Sequence, residues 1–334
     1  MQTIGVVGAG AWGTALAQIY AKGGAHVVLW ALEPDVVEAV NATRENSFYL
    51  KGVMLDPKIR ATNRLGALSK CEILLLVTPA QHIRTVLTEL KGEISAGTVL
   101  VICSKGIEQK TGILSSEICR EILPDNPVAV LTGPTFATEI AIGMPAAVTL
   151  AVGDKDVAKI LQKALGLKHF RPYLTDDIIG AQLGGAIKNV IAIACGIVYG
   201  RKLGESACAA LLTRGLAEMG RLAVAMGAKR QTLMGMCGMG DLILTATSLQ
   251  SRNFSFGAAL GEGQSKDDIL GRRSAVTEGV YTVESTLALA KKYGVDMPIT
   301  EAVYQCLYQK KSVDEVIESL LGRPLRNDSV DQEE

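Results

Sequence analysis

The sequence predicts an α/β protein in two parts: a doubly wound parallel-sheet domain over residues 1–177, then an all-α domain over residues 178–334. Three observations carry this. Short apolar runs alternate with helix-patterned stretches through the first half. A glycine-rich turn joins the first such run to the first helix. From Asp177 onward Gly- and Ala-rich helical segments replace the strand-like runs. At 334 residues the chain has room for two ordinary domains.

The elements follow in order. Residues 3–7 are apolar and suit a buried strand. Gly8-Ala9-Gly10-Ala11-Trp12-Gly13 comes next, then a helix over 14–21, a second apolar run at 25–30, and Glu33. Gly8 permits the tight turn, Gly10 lets backbone approach a pyrophosphate, and Gly13 brings helix and strand together. The helix N-terminus presents free N–H groups to phosphates, and a carboxylate at Glu33 suits a ribose. The complete strand–turn–helix–strand–acid register predicts a Rossmann-like dinucleotide-binding domain. Further strands are expected at 73–78, 98–103, 128–132 and 146–152, with 169–175 closing the domain. Helical patterns lie at 34–41, 81–90 and 112–123. The second part predicts helices over 178–199, 205–226, 281–293, 298–308 and 313–320. The last opens on a capping box, Ser312 with Glu315, and stops at Gly322. The tail 326–334 is polar and expected to be loose.

Lys+Arg and Asp+Glu balance at 34 each with no basic block, which gives no support to a nucleic-acid or acidic-membrane partner. The apolar stretch near residues 190–199 is too short to span a bilayer. The first strand begins at once, leaving no room for a signal peptide, so a cytoplasmic location is expected. Seven scattered cysteines show neither disulfide nor metal spacing, and no metal is expected.

A nicotinamide enzyme needs a group to handle a hydroxyl proton. His26, His82 and His169 are weak candidates by position. Lys188 is the stronger one, inside a helix almost without other charge and flanked at helical spacing by Gly184, Gly185, Ile191 and Ala192. Lost hydration there would lower its pKa. A lysine that snorkels to the surface fits the same pattern, and the residues alone leave both readings open. Lys105 follows a strand, as does Gly133-Pro134-Thr135, where Pro134 is set to open a helix; plain turn chemistry accounts for either equally well. Ser251-Arg252-Asn253 offers a guanidinium fork and an amide, suited to a phosphate, or a helix cap with a surface arginine. Asp241 either caps a helix or holds Lys188.

In order, GVVGAGAWGTALA, LVTPAQ, SKGIE, LTGPTFATEI, GGAIKNVIAIACGI, GMGDLILT, SRNFSFG and TEGVYT resemble NAD(P)-dependent sn-glycerol-3-phosphate dehydrogenases of the bacterial type, over nearly the whole chain. The resemblance implies reversible hydride transfer between glycerol 3-phosphate and dihydroxyacetone phosphate, supplying phospholipid synthesis. It implies that Lys188 is the catalytic lysine, with Asp241 and Thr245 around the substrate hydroxyls. Lys105, Gly133, Thr135, Asn189, Ser251, Arg252 and Asn253 are implied to contact substrate. Gly8, Gly10, Ala11, Trp12, Gly13, Leu32, Glu33, Lys105, Ala137, Arg252, Val276 and Glu278 are implied to contact the cofactor.

One departure bears on that cofactor. Many bacterial relatives have Arg or His where this chain has Leu32, and Glu33 would repel a 2′-phosphate. Arg44 is a distant substitute. NAD use at least as good as NADP use is therefore expected. A lysine-dependent hydroxy-acid or ketopantoate-type dehydrogenase, and a non-catalytic NAD(H) redox sensor, are the rival readings. The small residues of the helical part suit self-packing, so a homodimer is expected.

Overall fold

The computed structural model describes residues 3–272 and 276–324, so the expected loose tail lies outside the described residues. Eight strands form one sheet: β1 (Thr3–Val7), β2 (His26–Trp30), β3 (Ile59–Thr62), β4 (Ile73–Leu76), β5 (Val99–Ile102), β6 (Val128–Thr132), β7 (Ala146–Val152) and β8 (Phe170–Thr175). Their order is β3-β2-β1-β4-β5-β6-β7-β8. Successive residues of β4 go to opposite sides. Ile73 and Leu75 join the core under one face, and Leu74 and Leu76 the core under the other. Both faces are covered, which is why these strands read as unbroken apolar runs.

Helices α1 (Ala11–Lys22), α2 (Pro34–Thr43), α3 (Ile83–Leu90), α4 (Ser115–Ile122), α5 (Ala137–Ala141) and α6 (Lys155–Leu165) connect the strands. Two expectations need correction. The sheet is not wholly parallel, because β7 runs antiparallel to β6. Its connector carries only the five-residue α5, about 7.5 Å of helix, too short to recross a sheet face. Pro134 does not open a helix either; α5 starts at Ala137. Gly133 is pinned there, since a Cβ on it would lie 2.9 Å from the Val148 backbone.

The chain then becomes helical. The segments are α7 (Ile178–Gly200), α8 (Glu205–Ala225), α9 (Arg230–Leu233), a π-helical turn over Met236–Gly240, α10 (Asp241–Ala246), α11 (Arg252–Gly261), α12 (Lys266–Gly271), α13 (Glu278–Tyr293), α14 (Pro298–Tyr308) and α15 (Val313–Leu321). The Ser312–Glu315 capping box forms. Helix α7 is the axis of this part and packs against α8, α10, α11 and α13. It is long and apolar enough to cross a membrane, contrary to the expectation from its apolar run, yet 94% of the qualifying window is buried inside the protein. Glu218 of α8 accepts the Ile299 N–H at 2.7 Å and the Thr300 N–H at 3.2 Å. It thus caps α14 from another helix, satisfying donors that a helix start leaves open.

Candidate active site

The β1–α1 turn has the shape that a diphosphate requires. Gly8 adopts φ +118°, and a Cβ on Gly13 would lie 1.9 Å from the Gly8 carbonyl oxygen. Gly10 is different: a Cβ there would meet no protein atom within 4 Å. The chain's own packing leaves that space open in front of α1, whose N-cap, Gly10, supplies no side-chain cap. Ala11 and Trp12 form the first turn, and the buried Trp12 Nε1 has no partner. The residues present fit a dinucleotide. At the far end Leu32 is 72% exposed and Glu33 Oε1 accepts the Tyr49 hydroxyl at 3.0 Å. Tyr49 was not singled out in the sequence, where nothing ties it to Glu33. Arg44 donates to the Ile59 carbonyl at 3.0 Å, so its guanidinium serves the β3 edge.

The second cluster forms where β5 and β6 end against α7. Lys188 does not snorkel; it is 4% exposed. Its Nζ donates to Asp241 Oδ1 at 2.5 Å and to Thr245 Oγ1 at 2.5 Å. Asp241, fully buried, accepts from Lys105 Nζ through Oδ2 at 2.6 Å. Lys105 also reaches the Gly133 carbonyl at 3.4 Å. Thr135 lies half-buried, its hydroxyl turned to the same carbonyl at 3.3 Å. Burial drives the Lys188 ammonium down to about 7; Asp241 opposes the shift and the charge of Lys105 adds to it. An amine held there is poised to accept or give a proton near neutral pH.

A third group adjoins it. Asn189 Oδ1 accepts from Asn253 Nδ2 at 2.9 Å, and Asn253 Oδ1 accepts the Gly279 N–H at 2.9 Å. Ser251 caps α11 through the Phe254 N–H. Arg252, in the first turn of α11, is exposed. Beside it, burial raises the Glu278 carboxyl to about 7 while Arg252 and the Ala80 N–H pull it down. Glu278 Oε2 is closed off from solvent without a partner. Val276 stands exposed at the entry to α13, and Ala137 is half-buried at the start of α5.

His26, His82 and His169 are all exposed and take no part in these clusters. Thr132 was not foreseen. It ends β6 with a buried, unpartnered hydroxyl, 2.9 Å from where a Cβ on Gly185 would stand. Its one sequence signal is its place directly before Gly133.

Comparison with known proteins gives whole-chain matches. Residues 3–158 match the family described as NAD-dependent glycerol-3-phosphate dehydrogenase N-terminus, and 177–318 its C-terminus. A protein of Parvibaculum lavamentivorans named glycerol-3-phosphate dehydrogenase (NAD(P)+) is 52% identical over 326 residues, covering 98% of each chain. The crystal structure of glycerol-3-phosphate dehydrogenase from Coxiella burnetii matches with a TM-score of 0.93 and 40% identity, over 96% of this chain and 99% of that one. A ketopantoate reductase from Ralstonia eutropha matches 96% of this chain and all of its own with a TM-score of 0.59 and 17% identity, a likeness of fold alone. The chain belongs to the NAD-dependent glycerol-3-phosphate dehydrogenase family.

Proposed function

We propose that this chain interconverts sn-glycerol 3-phosphate and dihydroxyacetone phosphate, with NAD at least as good a cofactor as NADP, and so supplies glycerol 3-phosphate for phospholipid synthesis. The observation that carries the reading is the buried Lys188–Asp241 pair at the carboxyl edge of β5 and β6. When bound, the nicotinamide supplies the hydride acceptor or donor at this edge. In oxidation the Lys188 amine takes the O2 proton as hydride leaves C2; in reduction its ammonium returns that proton. Asp241 and Thr245 fix the Lys188 nitrogen, and Lys105 holds the other oxygen of Asp241. Arg252, Ser251 and Asn253 bind the phosphate, with Asn189 orienting Asn253. Binding energy from this non-reacting group positions the reacting carbon. Gly133 and Thr135 line the substrate loop.

Residues 1–177 carry the cofactor contacts at Gly8, Gly10, Ala11, Trp12, Gly13, Leu32, Glu33, Lys105 and Ala137, and residues 178–334 those at Arg252, Val276 and Glu278. The small residues of the helical part favour a homodimer. The test is reduction of dihydroxyacetone phosphate followed with NADH and NADPH side by side. Turnover of unphosphorylated hydroxy acids instead would favour the carboxylate-substrate alternative. Cofactor binding without any turnover would favour a redox sensor.

A further inference from the structure

Asp154, Asp177, Ser251, Ser265 and Ser312 each cap the helix they open, accepting one of its first N–H groups. In α13 the cap comes from elsewhere. Thr277 stands in the cap position, yet its side chain accepts no N–H and its buried hydroxyl has no partner. The N–H of Gly279, in the first turn, instead donates to Asn253 Oδ1 of α11 at 2.9 Å. Asn253 Nδ2 in turn donates to Asn189 Oδ1 of α7 at 2.9 Å, and both amides are buried. The packing leaves room for glycine alone. A Cβ on residue 279 would stand 2.7 Å from the Asn189 carbonyl oxygen, 2.8 Å from Asn253 Oδ1 and 2.8 Å from Ile193 Cδ1. The first of these belongs to the backbone of α7 and cannot swing aside.

A side-chain amide is nearly symmetrical in shape but not in chemistry: its oxygen only accepts and its NH2 only donates. A backbone N–H only donates. The bond from Gly279 therefore fixes the Asn253 oxygen on the α13 side and sends its NH2 the other way. That NH2 needs an acceptor, so Asn189 meets it with Oδ1 and turns its own NH2 away, to 3.4 Å from the Gly185 carbonyl. One backbone donor thus decides the direction of both amides.

We propose that Gly279 is a positioning residue for the substrate phosphate, its N–H setting the polarity of the Asn253 amide so that Asn253 and Asn189 present donors to the anion. This rests on the reading that Arg252 and Asn253 hold the phosphate. An amide NH2 has two hydrogens, and Asn253 gives one to Asn189, which leaves the second for a phosphate oxygen. A reversed Asn253 would set oxygen lone pairs against phosphate oxygens with no proton between them. The glycine acts without touching substrate: its lack of a Cβ lets Asn253 dock, and its N–H decides which end of the amide faces the anion.

The experiment compares full-length variants in the NADH-dependent reduction of dihydroxyacetone phosphate and of unphosphorylated dihydroxyacetone. Gly279→Ala keeps the N–H but drives Asn253 off it, so the ratio of kcat/KM for the phosphorylated over the unphosphorylated substrate should fall about tenfold. Asn253→Asp and Asn253→Ala read the polarity independently, and they decide the matter alone if Gly279→Ala does not fold. Aspartate still accepts the Gly279 N–H, so Tm should stay near the wild-type value, but it puts an oxygen where Nδ2 stood. Its ratio should fall further than that of Asn253→Ala, in which the lost cap should lower Tm. An unchanged ratio in folded Gly279→Ala, equal losses on both substrates, or a higher ratio in Asn253→Asp than in Asn253→Ala would each overturn the proposal. Arg252→Ala is run beside them. If it leaves the ratio unchanged, the phosphate lies elsewhere and both readings fall; if it lowers the ratio while Gly279→Ala and Asn253→Asp do not, this proposal alone falls.

Discussion

Lys188 and Asp241 stand 53 residues apart in the chain and 2.5 Å apart at their charged atoms. Truncating Lys188 removes the proposed proton-handling group and leaves Asp241 facing Lys105 and the Thr245 hydroxyl. Lys188→Ala should lower kcat by roughly 100- to 10,000-fold, the range of general acid–base catalysis. Cofactor affinity, read by NADH fluorescence titration, should stay within about twofold, because no residue of the β1–α1 turn is touched.

The pH profile follows from the Lys188 shift. Glycerol 3-phosphate oxidation needs the neutral amine, so kcat should rise with pH through about 7 and level off above it. Reduction should show the mirror-image fall. Lys105→Met removes a positive charge that depresses Lys188, so its limb should move to higher pH. A limb that stays in place would exclude Lys188 as the titrating group.

Arg252→Ala tests the phosphate clamp. KM for dihydroxyacetone phosphate should rise by about 10- to 100-fold, as expected for loss of a charge-assisted contact of about 1.5–3 kcal/mol. Unphosphorylated dihydroxyacetone should be used no worse than by the wild type. An unchanged KM for the phosphorylated substrate would remove Arg252 from that role.

The proposed cofactor preference rests on Leu32 and Glu33. The ratio of kcat/KM for NADH over NADPH should be at least one. Leu32→Arg, placing a guanidinium on an exposed position next to Glu33, should shift that ratio toward NADPH by about tenfold, one charge-assisted pair of about 1.4 kcal/mol. A wild-type preference for NADPH would sink the NAD assignment.

Glu218 gives a stability prediction with a definite sign. Burial raises its carboxyl to about 7 in the folded protein, above the ordinary 4.5. Between those values the folded state holds more proton than the unfolded one, so this group lowers stability as pH rises from 4.5 to about 7. Glu218→Gln should flatten that part of the curve of Tm against pH. An unaltered slope would assign the dependence to other groups.

The sequence carried the β1–α1 unit in full because every part of it is local. A strand, three glycines, a helix and an acid lie in register within 33 residues. Lys188 was legible for a related reason, as a charge inside an apolar helix, although only tertiary structure decides between burial and snorkelling. β3 was missed because Ile59–Thr62 is a four-residue edge strand with exposed Arg60, too short to show a period. Helix α6 was missed despite a local cue, Asp154 capping Asp156 and Val157. The reversal at β7 left no trace, since an apolar run does not encode direction. Nor did the bond from Lys105 to Asp241, which spans 136 residues.

That last bond joins two unlike partners. Lys105 belongs to the sheet, following β5, whereas Asp241, Thr245 and Lys188 all belong to the helices. Were the sheet and helices to separate, the amine would keep its carboxylate and hydroxyl, and the contact from Lys105 would be lost. The proposed acid–base group is therefore held together within the helices alone. Opening would relieve Lys188 of a neighbouring positive charge and let in water, favouring the ammonium; closing would favour the free amine. On that reading, the contact between sheet and helices and the proton affinity of Lys188 would be one linked variable.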